Sequence, residues 1–479
     1  MTNCEQLLCF CGFSVPQIDT RIRVVSQYLK TNPNPALGQI AATLGSQFVA
    51  AAPQRRAIVA CQLGTAFELP KIADWSAEIT PRHHTLAFLF AGIGDHYRGM
   101  AQTLAKSEPT FQAALAACDR IIQREMGQSL FTWLYADEKA QPATQPLDLR
   151  ALLGRGKTVE KPLDPLQQTA IAHPAVFAIE YALTQLLAAW GIRPNYLIGY
   201  SLGEFVAACV ANVLSLDDAL TLVIRRAALI DTAPQGRMLA IPLPLHEAEM
   251  FISAEISLAA HTAPHLTILS GEKAAIEQLH ATLLAQAIPA RILSTTHAFH
   301  SHMLRPLQAD LAAIIATMPL QPPTIPIVSC ITGKFLTDQQ ATDPAYWVQQ
   351  MCNPIQFFSG LQTLLNTNSA IFIEIGPGQS LGAFLKQHPD AQPEHLRNVF
   401  PTLAYSYTEQ NDRSLFLSTL GKLWVSGINL DFSPLKRYQI LPALAAQLQT
   451  PQTPPVPLRQ RKPRKRHKQR HVEVGSVMT

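Results

Sequence analysis

Apolar positions recur along the chain with two different periods, and the two alternate. "TRIRVVSQYLK" and "ALGQIAATLGSQF" space their apolar residues by three and four, as amphipathic helices do, and "RRAIVACQL" reads as a strand. Together they make residues 1–80 a small helix-and-strand unit. "HTLAFLFAGIG" (84–94) is an apolar run ending on paired glycines, which predicts a buried strand entering a turn. A long helix is expected over about 166–190, closed by Gly191 and Pro194. "NYLIGY" follows as a short buried strand and "LGEFVAACVANVL" as a helix. Buried strands alternating with helices predict an α/β core built on a mainly parallel sheet.

Residues 236–298 follow a different order. "MLAIPL", "LHEAEMFI", "ISLAAHT", "HLTILSG", "EKAAIEQLHATLLAQ" and "IPARILST" read as strand, helix, strand, strand, helix, strand. That is the βαββαβ pattern of a ferredoxin-like unit, inserted before the core resumes through "IPIVSCITG" and "AIFIEIGPG". From about residue 441 the chain turns Pro-rich and then polybasic, and disorder is expected to residue 479.

Composition adds less than pattern. With 48% hydrophobic and 15% charged residues and a mean hydropathy of +0.09, the 479 residues can bury a large core. No run looks long enough to span a bilayer, and "MTNCEQLLCFCGF" lacks the basic start of a signal peptide. The eight cysteines have no paired CxxC metal spacing, so reduced thiols and a cytoplasmic protein are expected, with no metal. The net charge of +4 is misleading, because "RQRKPRKRHKQRH" (459–471) holds eight Lys and Arg and no acid. Without it the body has 30 basic and 34 acidic residues, 38 less eight against 34. The tail reads as a solvated linker; contact with nucleic acid, anionic lipid or an acidic protein is the alternative.

The chemistry begins at "IGYSLGEFV". Ser201 stands in G-x-S-x-G between a strand and a helix, the nucleophile-elbow pattern, which fits lipases, peptidases and acyltransferases alike. A helix starting behind the serine would turn its N–H groups toward an oxyanion. A base is available in "TTHAFHSHML", which carries His297, His300 and His302 where the inserted unit returns to the core. On the helix from about Leu216 to Ile230, capped by Ser215, Arg226 falls on the apolar face and Arg225 on the polar one. A buried arginine needs an anion, either a structural ion-pair partner or a substrate carboxylate gripped bidentately.

These residues, with "TAIAHPAVFAIEYAL", "YWVQQMCNPIQFFSGLQTLL" and "IFIEIGPGQSLGAFL", resemble the malonyl-CoA:acyl-carrier-protein transacylase family, in particular the acyltransferase domains of modular polyketide synthases. The resemblance covers about residues 84–390 and implies an α/β-hydrolase-like core with a parallel sheet plus the inserted ferredoxin-like subdomain. It divides the chain into a linker domain (1–80), a large subdomain (81–235 and 299–395), a small subdomain (236–298), a second linker (396–440) and the tail (441–479). It implies Ser201 as the acylated nucleophile and His300 as its base. It further implies Arg226 on the malonyl carboxylate, the backbone N–H groups of Ile93 and Leu202 as oxyanion hole, and the main-chain carbonyl at Gln350 as the group orienting His300. Phe299 in "HAFH" resembles the malonyl-preferring form, since a bulky ring leaves no room for an α-methyl group.

The expected partners are malonyl-CoA and the acyl carrier protein of a polyketide (or fatty-acid) synthase, without membrane or nucleic acid. No cofactor is expected beyond the CoA of the substrate and the phosphopantetheine on the carrier. Three positions depart from the family: Ile93 and His173 replace glutamines, and Tyr200 replaces a histidine. The rival expectation is an acyl-thioester or ester hydrolase with the same elbow, which would want an acid between serine and histidine in the chain. No ketosynthase or carrier-protein sequence is present, so either a free-standing enzyme acting in trans or a piece of a synthase is expected.

Overall fold

The computed structural model describes residues 5–32, 36–61, 71–79, 84–135, 165–367, 369–408 and 411–449. The polybasic segment 459–471 lies outside them.

The first strand is β1 (Gln6–Gly12), "QLLCFCG", buried along its whole length. It pairs antiparallel with β2 (Gln54–Ala60), which pairs antiparallel with β3 (Lys71–Glu78), giving the order β1-β2-β3. The helix Asp412–Val425, far along the chain, packs across all three strands. Arg55 joins the two flanks: its guanidinium lies 4.3 Å from the Trp424 ring and donates to the carbonyls of Trp424 and Ile428. The helix Pro442–Leu448 corrects the expectation of disorder from residue 441, for Leu444 and Leu448 are buried against the flanking helices. Their spacing of four puts both on one side of a helix.

The core sheet holds β4 (Thr85–Phe90), β5 (Tyr196–Gly199), β10 (Ile327–Val328), β11 (Ser369–Ile375) and β12 (Val399–Pro401), in the order β10-β5-β4-β11-β12. Every pairing within it is parallel. Helices cover such a sheet on both faces, so its strands are apolar without alternation, as "TLAFLF" is. The helix Thr169–Ala189 lies inside this body against Pro109–Met126 and Leu216–Asp231. By length and composition it could cross a bilayer, contrary to the sequence reading, yet 83% of its most apolar stretch is buried in protein.

Between Leu216–Asp231 and the return to the core stand β6 (Gly236–Ile241), β7 (Ile256–Ala263), β8 (Leu266–Glu272) and β9 (Arg291–Ile292). Their order is β7-β8-β6-β9, with all pairs antiparallel and the helix Lys273–Ala285 packed on one face. This is the ferredoxin-like unit. Its strand alternation serves two purposes. Leu239, Ile241 and Leu269 turn inward to a small core of their own, while Met238, Ala240 and Ile268 turn outward onto a cavity shared with the large subdomain.

Candidate active site

β4 and β5 are neighbours at the centre of the sheet, and the site lies beyond their carboxyl ends, where open parallel sheets hold ligands. β5 ends at Gly199, the chain turns at Tyr200 and Ser201, and the helix Gly203–Val210 begins two residues later. Ser201 takes φ of +54°, a left-handed conformation that a non-glycine residue adopts only when its surroundings impose it. The glycines on either side permit this. A Cβ at Gly199 would lie 2.1 Å from the Glu204 nitrogen, and one at Gly203 would lie 2.3 Å from the Phe90 carbonyl oxygen.

Ser201 Oγ is 2.7 Å from His300 Nε2. The other ring nitrogen, Nδ1, is 3.0 Å from the main-chain carbonyl of Asn353. A carbonyl can only accept, so the proton sits on Nδ1 and Nε2 presents its lone pair to the serine hydroxyl. The resemblance implied that Gln350 provides this carbonyl. The carbonyl at 3.0 Å is that of Asn353, three residues on, beyond the end of the helix Pro344–Gln350, and the Gln350 carbonyl acts on the ring beside it. His300 is buried, and its pKa is lowered to about 3, first by burial and then by the charge of Arg226, with the carbonyls of Asn353 and Gln350 pulling the other way. The other two histidines of the cluster are engaged elsewhere. His297 Nδ1 is 3.7 Å from Asp231, and His302 Nδ1 is 2.9 Å from the Ser257 hydroxyl.

Arg226 is 1% exposed, on the apolar face of Leu216–Asp231 as its position in the pattern requires. Among the described residues no carboxylate pairs with it. Its guanidinium lies 5.3 Å from the Phe205 ring, donates to Gln350 Oε1 at 3.4 Å, and leaves Nε without a partner. Burial lowers its pKa to about 10, so it stays charged at neutral pH. The structural ion pair, one of the two readings of a buried arginine, is therefore absent among the described residues.

Ser201, His300, Phe299, His173, Tyr200 and Ile93 line a cavity of about 370 Å³ roofed by the outward side chains of β6 and β8. Leu202, the N-cap of Gly203–Val210, is buried beside Ser201. Among the described residues, the N–H groups of Ile93 and Leu202 make no hydrogen bond.

Some side-chain contacts at the site could not be read from the sequence. The Gln350 side chain donates to the Ser201 carbonyl at 2.8 Å. The buried carboxyl of Glu204 accepts from the Cys330 N–H at 2.8 Å and from the Tyr346 hydroxyl at 2.5 Å. Tyr200 reaches across to the small subdomain, 3.2 Å from the Thr262 hydroxyl. Glu204 alone left a trace, as a charge inside the otherwise apolar "LGEFVAACV".

A strained serine on a parallel-sheet elbow, facing an imidazole held by a main-chain carbonyl, is the arrangement of an acyl-transferring serine enzyme. Comparisons with known proteins agree. The acyl transferase domain family matches residues 87–430. The chain is 32% identical over 358 residues to a phenolphthiocerol/phthiocerol polyketide synthase protein of Mycobacterium tuberculosis, covering 75% of this chain and 22% of that one. It is also 32% identical over 358 residues to the spectinabilin polyketide synthase system protein NorB of Streptomyces orinoci, covering 74% and 16%. The chain thus spans only about a fifth of the curated relatives it matches. Among solved structures, the acyl transferase domain of ZmaA superposes with a TM-score of 0.76 at 28% identity, over 92% of this chain and 100% of that one. The acyl transferase domain of SpnD, in complex with 2-(pent-4-yn-1-yl)malonyl, gives 0.72 at 26%, over 88% and 96%. The chain belongs to the acyl transferase domain family, as an acyltransferase domain of the kind found in modular polyketide synthases.

Proposed function

We propose that this acyltransferase moves a malonyl group from malonyl-CoA to the phosphopantetheine thiol of an acyl carrier protein, through an ester on Ser201. His300 Nε2 takes the Ser201 proton as Oγ attacks the thioester carbonyl, and then returns it to the departing CoA sulfur. The tetrahedral oxyanion rests on the N–H groups of Ile93 and Leu202, a pair of donors of which one is typically worth about 2.7–4 kcal/mol of barrier. Only main-chain atoms are needed there, so isoleucine at position 93 serves as well as a longer polar residue. The carrier thiol then attacks the acyl-serine, and His300 repeats its two proton transfers.

The observation that carries this reading is a buried guanidinium with no carboxylate partner among the described residues, joined through the Gln350 side chain to the main chain of the nucleophile. A buried arginine without an anion is costly unless a ligand supplies one, and malonyl carries its carboxylate at the end away from the thioester. Phe299, buried on the cavity wall, leaves little room for a substituent on the α-carbon and favours malonyl over branched analogues. A methyl group in such a pocket is worth about 1–3 kcal/mol.

A hydrolase with the same elbow is less well supported, because His300 Nδ1 meets a carbonyl and not a carboxylate. The test is a competition of malonyl-, methylmalonyl- and acetyl-CoA for transfer to a polyketide carrier protein. Malonyl-carrier as the main product supports the reading; rapid release of free acid with no carrier product contradicts it.

A further inference from the structure

The two groups of the proton path come from stretches of chain that the small subdomain separates. Ser201 precedes β6 and His300 follows β9, 99 residues on, yet Oγ and Nε2 meet at 2.7 Å. The small subdomain has a hydrophobic core of its own, so its internal packing does not fix that distance. Contacts between the two subdomains must do so.

β7 supplies such contacts on both sides. Toward the nucleophile, the Thr262 hydroxyl lies 3.2 Å from the hydroxyl of Tyr200, the residue next to Ser201. The Tyr200 N–H donates to the Phe90 carbonyl at 2.9 Å, and the ring packs edge-on against Phe357, 5.3 Å between centroids. Tyr200 is thus held at its backbone, its ring and its hydroxyl, and Ser201 is one peptide bond away. Toward the base, β7 meets Ile355 in a parallel bridge at Ala260. The Ile355 N–H donates to the Ala259 carbonyl at 2.8 Å, and the His261 N–H donates to the Ile355 carbonyl at 2.9 Å. Two residues before Ile355 stands Asn353, whose carbonyl is 3.0 Å from His300 Nδ1. Pro354 lies between them with its φ locked by the ring, which leaves little slack between the bridge and that carbonyl.

Residues 259–262 therefore touch the supports of both catalytic groups. Thr262 is 1% exposed, and among the described residues Tyr200 is the hydrogen-bond partner of its hydroxyl. We propose that Thr262 is a positioning residue for acyl transfer. Its hydroxyl keeps Tyr200 in register with the strand that also holds the Asn353 segment, so β7 sets the approach of Ser201 to His300. The inference rests on Ser201 and His300 acting as nucleophile and base. It makes the small subdomain part of their alignment as well as the roof of the cavity.

The experiment uses three single variants. Thr262→Val keeps the shape and removes the hydroxyl, Thr262→Ser keeps the hydroxyl, and Tyr200→Phe removes its partner. With these goes the double variant Tyr200→Phe/Thr262→Val. Each is mixed with malonyl-CoA over a range of concentrations, quenched rapidly and read by intact mass. The first-order rate constant of acylation does not depend on how much of a variant is folded. At saturation it should fall about three- to tenfold in Thr262→Val and in Tyr200→Phe, the scale of one hydrogen bond. The half-saturating concentration should stay within about twofold. The double variant should match the slower single, because the same bond is lost once, and Thr262→Ser should stay within about twofold of wild type. An unchanged rate constant in Thr262→Val, or losses that multiply in the double variant, overturns the proposal. So does a loss confined to the half-saturating concentration, since the hydroxyls would then be touching substrate. Wild-type protein that takes no acyl group on Ser201 overturns the nucleophile reading itself, and the proposal with it.

Discussion

Gly203 packs against the end of β4 so closely that a methyl group on its Cα would stand 2.3 Å from the carbonyl oxygen of Phe90. The contact is backbone on both sides, so no side chain can swing away. It ties the start of the elbow helix to the strand leading into the Ala91–Gly92 turn, and so sets the distance between Ser201 and Ile93. Gly203→Ala should destabilise the protein by about 1–3 kcal/mol, the usual range for overpacking a tight contact. A denaturant melt measures the loss, and acyl loading should fall further than stability alone explains because the elbow must shift.

Arg226 is linked to the nucleophile through Gln350, whose amide accepts from the guanidinium at 3.4 Å and donates to the Ser201 carbonyl at 2.8 Å. Arg226→Ala removes the cation without leaving a carboxylate unpaired, so the fold should survive. Malonyl loading should drop by two orders of magnitude or so, in line with a charged hydrogen-bond pair of about 1.5–3 kcal/mol, while acetyl loading holds or rises. Steady-state rates with the two thioesters check this, and undiminished malonyl loading would remove Arg226 from substrate binding.

The low pKa of His300 fixes how the protein responds to acid. Its folded value of about 3 lies below the ordinary 6.5, chiefly through burial. Between those values the unfolded chain binds a proton that the folded protein refuses. Stability should therefore fall as pH drops below about 6.5, by at most about 1.4 kcal/mol per pH unit for this one group. The base itself stays ready over the same range. The acylation rate should thus be nearly flat from pH 8 to pH 6 in a stopped-flow assay, with no limb near the titration point of a free histidine.

The sequence disclosed what depends on neighbours in the chain. The elbow was legible because a glycine two places either side of Ser201 is a local demand of the turn. The face of Arg226 was legible because a helical period fixes it, and the small subdomain because its strand and helix order is local too. What stayed hidden depends on pairing at a distance. Glu204 meets Cys330 and Tyr346 from 126 and 142 residues away, and no period links them. Asn353 joins Gln350 at the imidazole because the helix Pro344–Gln350 ends there and the chain turns. β1 escapes the pattern because a strand buried on both faces does not alternate, and part of its cover comes from helix Asp412–Val425 near the other end of the chain.

The most direct trial of the central claim is to trap the acyl group where it first lands. The protein is mixed briefly with malonyl-CoA, quenched in acid and digested, and the peptides are mapped by mass. One malonyl group on the peptide containing "GYSLGE", at Ser201 and absent from Ser201→Ala, is the predicted result. Acylation elsewhere, or equal acylation of Ser201→Ala, would contradict the account.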